Sequence, residues 1–190
     1  YGGFMIKNDI LYYLAIFIIC LIVANITSSI FASFMIFSGV GLGILVMFIG
    51  LAVGRSAFAF TNLFSSENNE LTISEENYTT RLSISSFISS FSSMHGAILG
   101  EMLYDTACYD NEKQQYVEEP MLSYVDVFTI PFEQLIFNFF GLMGREIEYL
   151  IYYFQMLPVD GTYAVTSIVF LALAVYFGYN SAWGTRYSWF

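Results

Sequence analysis

The chain contains the uncharged stretch IFASFMIFSGVGLGILVMFIGLAV, residues 30–53, which is long enough to cross a bilayer. About 18 or more consecutive apolar residues span a hydrocarbon core of roughly 30 Å as a helix. A second uncharged run, residues 10–26, precedes it across the polar break at 27–29. Because lipid solvates no unpaired backbone group, both runs must be helical. The sequence therefore predicts an integral membrane protein that begins with a tight helical hairpin, with spans near 10–28 and 30–54.

The composition extends this prediction to the whole chain. Hydrophobic residues make up 57% of the sequence and charged residues 12%, against about half and a quarter in soluble proteins. We expect an all-α, single multi-pass membrane domain over 1–190, a bundle of about five transmembrane helices. The three further spans are predicted near 83–103, 130–157 and 162–180. Two acidic polar loops, 55–82 and 104–129, are expected to separate them.

The charge balance restricts the class of partner. Six Lys and Arg residues stand against 16 Asp and Glu residues, for a formal net charge of −10. Nucleic acid is a poor partner for such a chain, since its phosphates are bound by basic side chains. We expect lipids and the other membrane subunits of a hetero-oligomeric complex to be its partners.

Two groups of small residues predict close helix packing, because small side chains let backbones approach one another in membranes. In the second predicted span the group contains Gly39, Gly43, Gly50 and Gly54. Its simplest packing partner is the first helix, and an oligomer interface is the alternative. In the span at 83–103 one helix face is small and includes Ser86, Ser90, Ser93 and Gly100.

The segment 130–157 is predicted to be one long helix with a polar arc. The arc includes Glu133, Gln134, Asn138, Arg145 and Glu148. Lipid cannot cover such an arc. The helix therefore either faces the protein interior as a fourth span, which we favour, or lies at the membrane surface with the arc in water.

His95 is the only histidine and lies halfway along a predicted span. An ionisable residue at that depth suggests a function, since a charge there is costly. His95, Gly100 and Asp105 resemble the histidine, glycine and aspartate on the haem-binding helix of succinate dehydrogenase membrane anchors. The resemblance implies axial haem ligation by His95. The preferred interpretation is a neutral histidine bonded to a neighbouring helix, and no cofactor is predicted.

A second set of ionisable residues, Glu101, Arg145 and Glu148, could form an intramembrane cluster between two helices. Such a cluster could relay protons or gate ions. The preferred interpretation is that these charges lie near the bilayer surface or neutralise each other and so fix the register of the two helices. The sequence contains no metal-ligand spacing and no nucleophile beside a base. We therefore expect neither a catalytic residue nor a metal centre.

These observations favour a non-catalytic subunit of a large membrane complex. Frequent Phe, Tyr, Ile, Asn and Ser residues resemble the bias of an AT-rich genome, as in mitochondria. The expectation is thus a subunit of a respiratory-chain complex, with its electron transport, or of ATP synthase, in the mitochondrial inner membrane. The alternative is a small ion or proton channel or transporter that uses Glu101, His95, Arg145 and Glu148.

Overall fold

A computed structural model describes residues 2–38, 45–66, 75–110, 115–117 and 120–183. Within these ranges the chain forms six helices and one short strand pair. The helices are α1 (Gly2–Ser38), α2 (Leu45–Ser66), α3 (Glu75–Cys108), α4 (Tyr124–Phe137), α5 (Phe139–Met156) and α6 (Gly161–Ala182). Strand β1 (Tyr109–Asp110) pairs antiparallel with β2 (Gln115–Tyr116), with Tyr109 opposite Tyr116.

The described residues contain three helical segments long and apolar enough to cross a membrane: Asp9–Ser38, Leu45–Leu63 and Gly161–Ala182. The bent pair of α4 and α5 makes a fourth if it is counted as one span. The protein is therefore helical with three or four candidate spans, and the predicted number of about five is not confirmed. Helix α3, which includes the predicted span at 83–103, does not reach the same apolarity because of its many serines.

The predicted hairpin break at residues 27–29 is wrong, because α1 continues through it. The hydroxyls of Thr27 and Ser29 donate to the carbonyls of Val23 and Asn25, at 2.8 and 3.0 Å. Polar side chains that bond to the preceding turn leave the helical backbone intact, even at a break in hydrophobicity. The predicted spans 10–28 and 30–54 are replaced by α1 and α2, and residues 39–44 between them lie outside the described residues.

The single helix predicted at 130–157 is also wrong. Helices α4 and α5 meet at Asn138, with an angle of 113° between them. Asn138 leaves the helical conformation at φ −145° and ψ 42°, yet its backbone N–H bonds to Gln134 and its carbonyl accepts from Leu142. The polar arc that was predicted from continuous helical spacing is consequently divided between two helices of different direction.

The predicted polar loops are shorter than expected. Helix α2 continues to Ser66 and α3 begins at Glu75, so 55–82 is mostly helical. In the predicted loop 104–129, α3 continues to Cys108 and α4 begins at Tyr124. Ser123 caps α4, since its hydroxyl accepts from the Asp126 N–H while the Asp126 carboxylate accepts from the Ser123 N–H. This reciprocal cap fixes the point at which α4 begins.

Helix α3 lies at the centre of the bundle and contacts α1, α2, α5 and α6. Its serines are buried on the faces towards these neighbours: Ser85, Ser86, Ser89, Ser90, Ser92 and Ser93. Ser89 donates to the Gly178 carbonyl of α6 at 2.9 Å, and Ser28 of α1 donates to the Gly96 carbonyl at 2.6 Å. Small side chains therefore permit the close approach, and their hydroxyls add bonds between helices.

The described part of the glycine stripe packs against α6, where the first helix had been predicted as its partner. A Cβ atom at Gly50 would meet the backbone of Ala174 and Gly178, and one at Gly54 would meet the Gly178 carbonyl and the Ser181 side chain. Gly39 and Gly43 lie outside the described residues. Gly100 of α3 lies directly against the Phe31 ring of α1.

Replacement of Gly50 by alanine should destabilise the protein, since the new methyl group meets rigid backbone of α6. Overpacking of this kind costs about 1–3 kcal/mol. The measurement is the thermal midpoint of the full chain in detergent. Gly144→Ala is the matched control, because nothing lies within 4 Å of a Cβ at that position. Equal midpoints for the two variants would contradict the close contact of α2 with α6.

Candidate functional site

The buried polar residues Asn25, His95 and Glu146 meet where α3 passes between α1 and α5. Asn25 and His95 are 0% exposed and Glu146 is 5% exposed. The neighbouring Gly96 brings α1 close to α3, since a Cβ there would lie 3.1 Å from the Ser28 hydroxyl and 3.2 Å from the Ala24 methyl group. This close approach positions the Asn25 side chain against the histidine ring.

Hydrogen bonds occupy both nitrogens of the His95 ring. The Asn25 amide nitrogen lies 2.8 Å from the Leu21 carbonyl and 3.2 Å from His95 Nε2. His95 Nδ1 lies 2.5 Å from Glu146 Oε1. An amide NH₂ can only donate, so Nε2 accepts and the ring proton is on Nδ1, from which it is donated to Glu146. The network thus assigns one neutral tautomer to the histidine.

Within the described residues, this arrangement leaves one buried charge without a counter-charge and one buried acceptor without a donor. A neutral imidazole does not neutralise the Glu146 carboxylate, and a buried charge without a counter-charge is costly. The side-chain oxygen of Asn25 is buried and has no hydrogen-bond partner in the described part of the chain. Both features lie at the same ring, on opposite sides of it.

Two more carboxylates lie further along α3, and each bonds to a tyrosine of α5. The Tyr153 hydroxyl donates to Glu101, and the Tyr149 hydroxyl donates to Asp105. Tyr153 is fully buried, and its ring packs edge-on against Tyr149. The contact between α3 and α5 is therefore built from three carboxylates, each with a hydrogen-bond donor on the other helix.

Glu101 and Asp105 line a cavity of about 460 Å³ between α1, α3 and the start of α6. Asp160, which caps α6 by accepting from the Tyr163 N–H at 3.0 Å, adds a third carboxylate to the wall. Most of the remaining wall is aromatic or hydroxylated and includes Phe31, Tyr104, Thr166 and Phe170. The cavity is an acidic recess beside the part of α3 that follows the buried histidine in sequence.

The structure does not bring the predicted cluster of Glu101, Arg145 and Glu148 together. Arg145 is exposed and donates to the Gln134 side chain at 2.7 Å across the bend, and Glu148 is exposed. Each helical residue is rotated by about 100° from the last. Glu146, which follows Arg145 directly, therefore points inward while Arg145 and Glu148 point outward.

Glu146 is a site residue that was not predicted from the sequence. It shares a helical face with Leu142 and Tyr153, which are 1% exposed, and with Tyr149. Leu142, Glu146, Tyr149 and Tyr153 are separated by four, three and four residues, the spacing of a buried helical stripe. A single carboxylate within an otherwise apolar and aromatic stripe was the signal that could have identified it.

The surroundings of His95 do not fit axial haem ligation. Each ring nitrogen already has a protein partner, and the residue is wholly enclosed by helices. An iron ligand needs one free nitrogen facing an open pocket. For metal ions, no group of three His, Cys, Asp or Glu side chains suited to binding occurs among the residues described.

Comparisons with known proteins add no relative: no protein-family model, curated protein or solved structure matches the chain. The site is therefore interpreted from its own chemistry.

Replacement of Tyr153 by phenylalanine should destabilise the contact between α3 and α5, because Glu101 loses its hydroxyl donor. A half-buried acceptor left without its partner costs about 1–3 kcal/mol. SDS-induced unfolding of the full chain from mild detergent measures the change. Tyr152→Phe is the control, as it removes a hydroxyl from a neighbouring side chain that is 42% exposed. If both variants unfold alike, the bond to Glu101 contributes nothing to stability.

Proposed function

We propose that this chain is a non-catalytic, multi-pass subunit of a larger membrane protein complex. In this role it contributes packing surfaces for other subunits. The observation that carries the proposal is the outer face of α4 and α5, which suits neither lipid nor water.

This outer face mixes large apolar side chains with charged ones. Phe137 and Phe140 are 83% and 87% exposed beside the bend. The exposed residues Glu133, Arg145 and Glu148 lie on the same two helices. Lipid disfavours the charges, and water disfavours the phenyl rings. A protein surface with apolar pockets and complementary charges would satisfy both kinds of group.

The contacts of α5 within the chain support the same proposal. Helix α5 touches α3, α4 and α6, while Ile147, Ile151 and Phe154 remain about half or more exposed on its other side. The formal net charge of −10 favours partner subunits with basic surfaces. The composition typical of an AT-rich genome supports a mitochondrial inner-membrane location, in a respiratory-chain complex or ATP synthase.

A photo-crosslinking amino acid at Phe140 should capture a small number of distinct foreign proteins in native membranes. The same amino acid at Val169 is the control, because that α6 side chain is 49% exposed on a candidate span and is expected to face lipid. Adducts are separated by gel electrophoresis and identified by mass spectrometry. Adducts of Phe140 with lipid alone, or with a second copy of this chain alone, would contradict the proposal.

A further inference from the structure

We propose that His95 and Glu146 form a proton-binding site inside the bundle, which takes up one proton on His95 Nε2 and turns the Asn25 amide as it does so. The ligand is a proton delivered from water. This inference concerns the interior of the bundle and is independent of the outer surface that carries the proposed function.

The charge of the buried pair provides the driving force. With the proton on Nδ1 only, the neutral ring and the Glu146 carboxylate together carry one negative charge in a place without solvent. One more proton on Nε2 forms an imidazolium beside the carboxylate, and the pair becomes neutral. A neutral ion pair joined by a short hydrogen bond is far less costly to bury than an isolated carboxylate. Nδ1 keeps its bond to Glu146 in both states.

The unpartnered oxygen of Asn25 supplies the acceptor that the second state needs. In the structure the amide NH₂ donates to Nε2, and that bond cannot persist once Nε2 carries a proton. Rotation of the amide by about half a turn would place the oxygen against Nε2–H instead. Uptake of the proton therefore forms one N–H bond, breaks the two hydrogen bonds that the amide nitrogen makes with Nε2 and with the Leu21 carbonyl, and gives the buried oxygen a partner.

The inferred route for the proton starts at the acidic cavity beside α3. Glu101, which lines the cavity, lies six residues along α3 from His95, a distance of about 9 Å at helical rise. Its tyrosine partner, Tyr153, lies two turns along α5 from Glu146. Carboxylates that line a cavity raise the local concentration of cations, including protons.

The helices around His95 and Glu146 place few other charged groups near this pair. Helix α1 carries Cys20 and, more than four turns before Asn25, Asp9, which pairs with Arg81 of α3. Helix α2 contributes only the exposed Arg55, and α6 has no Asp, Glu, Lys, Arg or His. On α5 the exposed residues Arg145 and Glu148 face away, and Tyr149 and Tyr153 bond to Asp105 and Glu101. The pair is therefore set to neutralise itself by binding a proton.

The test uses the sole histidine as its own probe. The full chain, labelled with ¹⁵N-histidine and placed in lipid vesicles, is measured by solid-state NMR from about pH 9 to about pH 5, the range in which histidine charge commonly changes. We expect the Nδ1–H neutral tautomer at the alkaline end and an imidazolium at the acidic end. A ring that stays neutral throughout, or an Nε2–H tautomer at the alkaline end, overturns the proposal without any variant.

Two variants of one helix separate the pair from general charge effects. Glu146→Gln should lower the proton affinity of His95 at least about tenfold, because the counter-charge is lost. Glu148→Gln makes the same charge change two residues away on the exposed face and should leave that affinity unaltered. Equal titrations of the two variants would overturn the pairing.

A third variant tests the amide. Asn25→Leu keeps the side-chain volume and removes the acceptor for Nε2–H, so the proton affinity of His95 should fall about fivefold or more, since hydrogen bonds to charged groups are the stronger ones. An unchanged or increased affinity would overturn the role given to Asn25. Because the photo-crosslinking at Phe140 reads a different surface, failure of either proposal is distinguishable from failure of the other.

Discussion

Gly178 of α6 lies where α2, α3 and α6 approach within backbone contact, and the placement of the other helices depends on this approach. Gly50 of α2 and Ser93 of α3 both pack against it, and the Ser89 hydroxyl donates to its carbonyl. Lipid tails are as apolar as leucine, so helices in a membrane associate by close packing and hydrogen bonds. Larger residues here would separate α3 from its neighbours and open the space around the histidine.

Helix α3 at the centre of the bundle is unusually rich in serine for a membrane protein. The helices that surround it explain how it can lie there. The hydroxyls of Ser86 and Ser93 donate to carbonyls one turn earlier, and the hydroxyls of Ser28 and Ser89 link separate helices. Apolar helices α1, α2 and α6 cover most of α3 and present isoleucine, phenylalanine and valine outward. A polar helix enclosed in this way can hold a histidine and a carboxylate that lipid would exclude.

The bend at Asn138 determines which side chains of α5 reach the interior. Because α5 begins anew after the bend, its inward stripe starts at Leu142 and includes Glu146, while Arg145 is drawn back towards Gln134. One continuous helix would have presented a different set of groups to α3. The same bend exposes Phe137 and Phe140 and so creates the surface on which the proposed subunit role rests.

The sequence by itself determined that the chain belongs in a lipid bilayer, that it is helical, and that its small residues pack closely against other helices. These conclusions follow from local rules. The length of the uncharged run at 30–53 and the need to pair every backbone group in lipid predict helices, and the small residues on one face of 83–103 predict close packing. It also singled out His95 and Glu101, because ionisable residues in spans are costly wherever they lie. Only the tertiary structure decided that the polar residues 27–29 leave α1 unbroken, that Gly50 meets α6, and that Glu146 faces His95. Each of these depends on hydroxyl bonds to the preceding turn, on partners distant in sequence or on a rotation of one residue about a helix, and hydrophobic spacing alone contains none of this information.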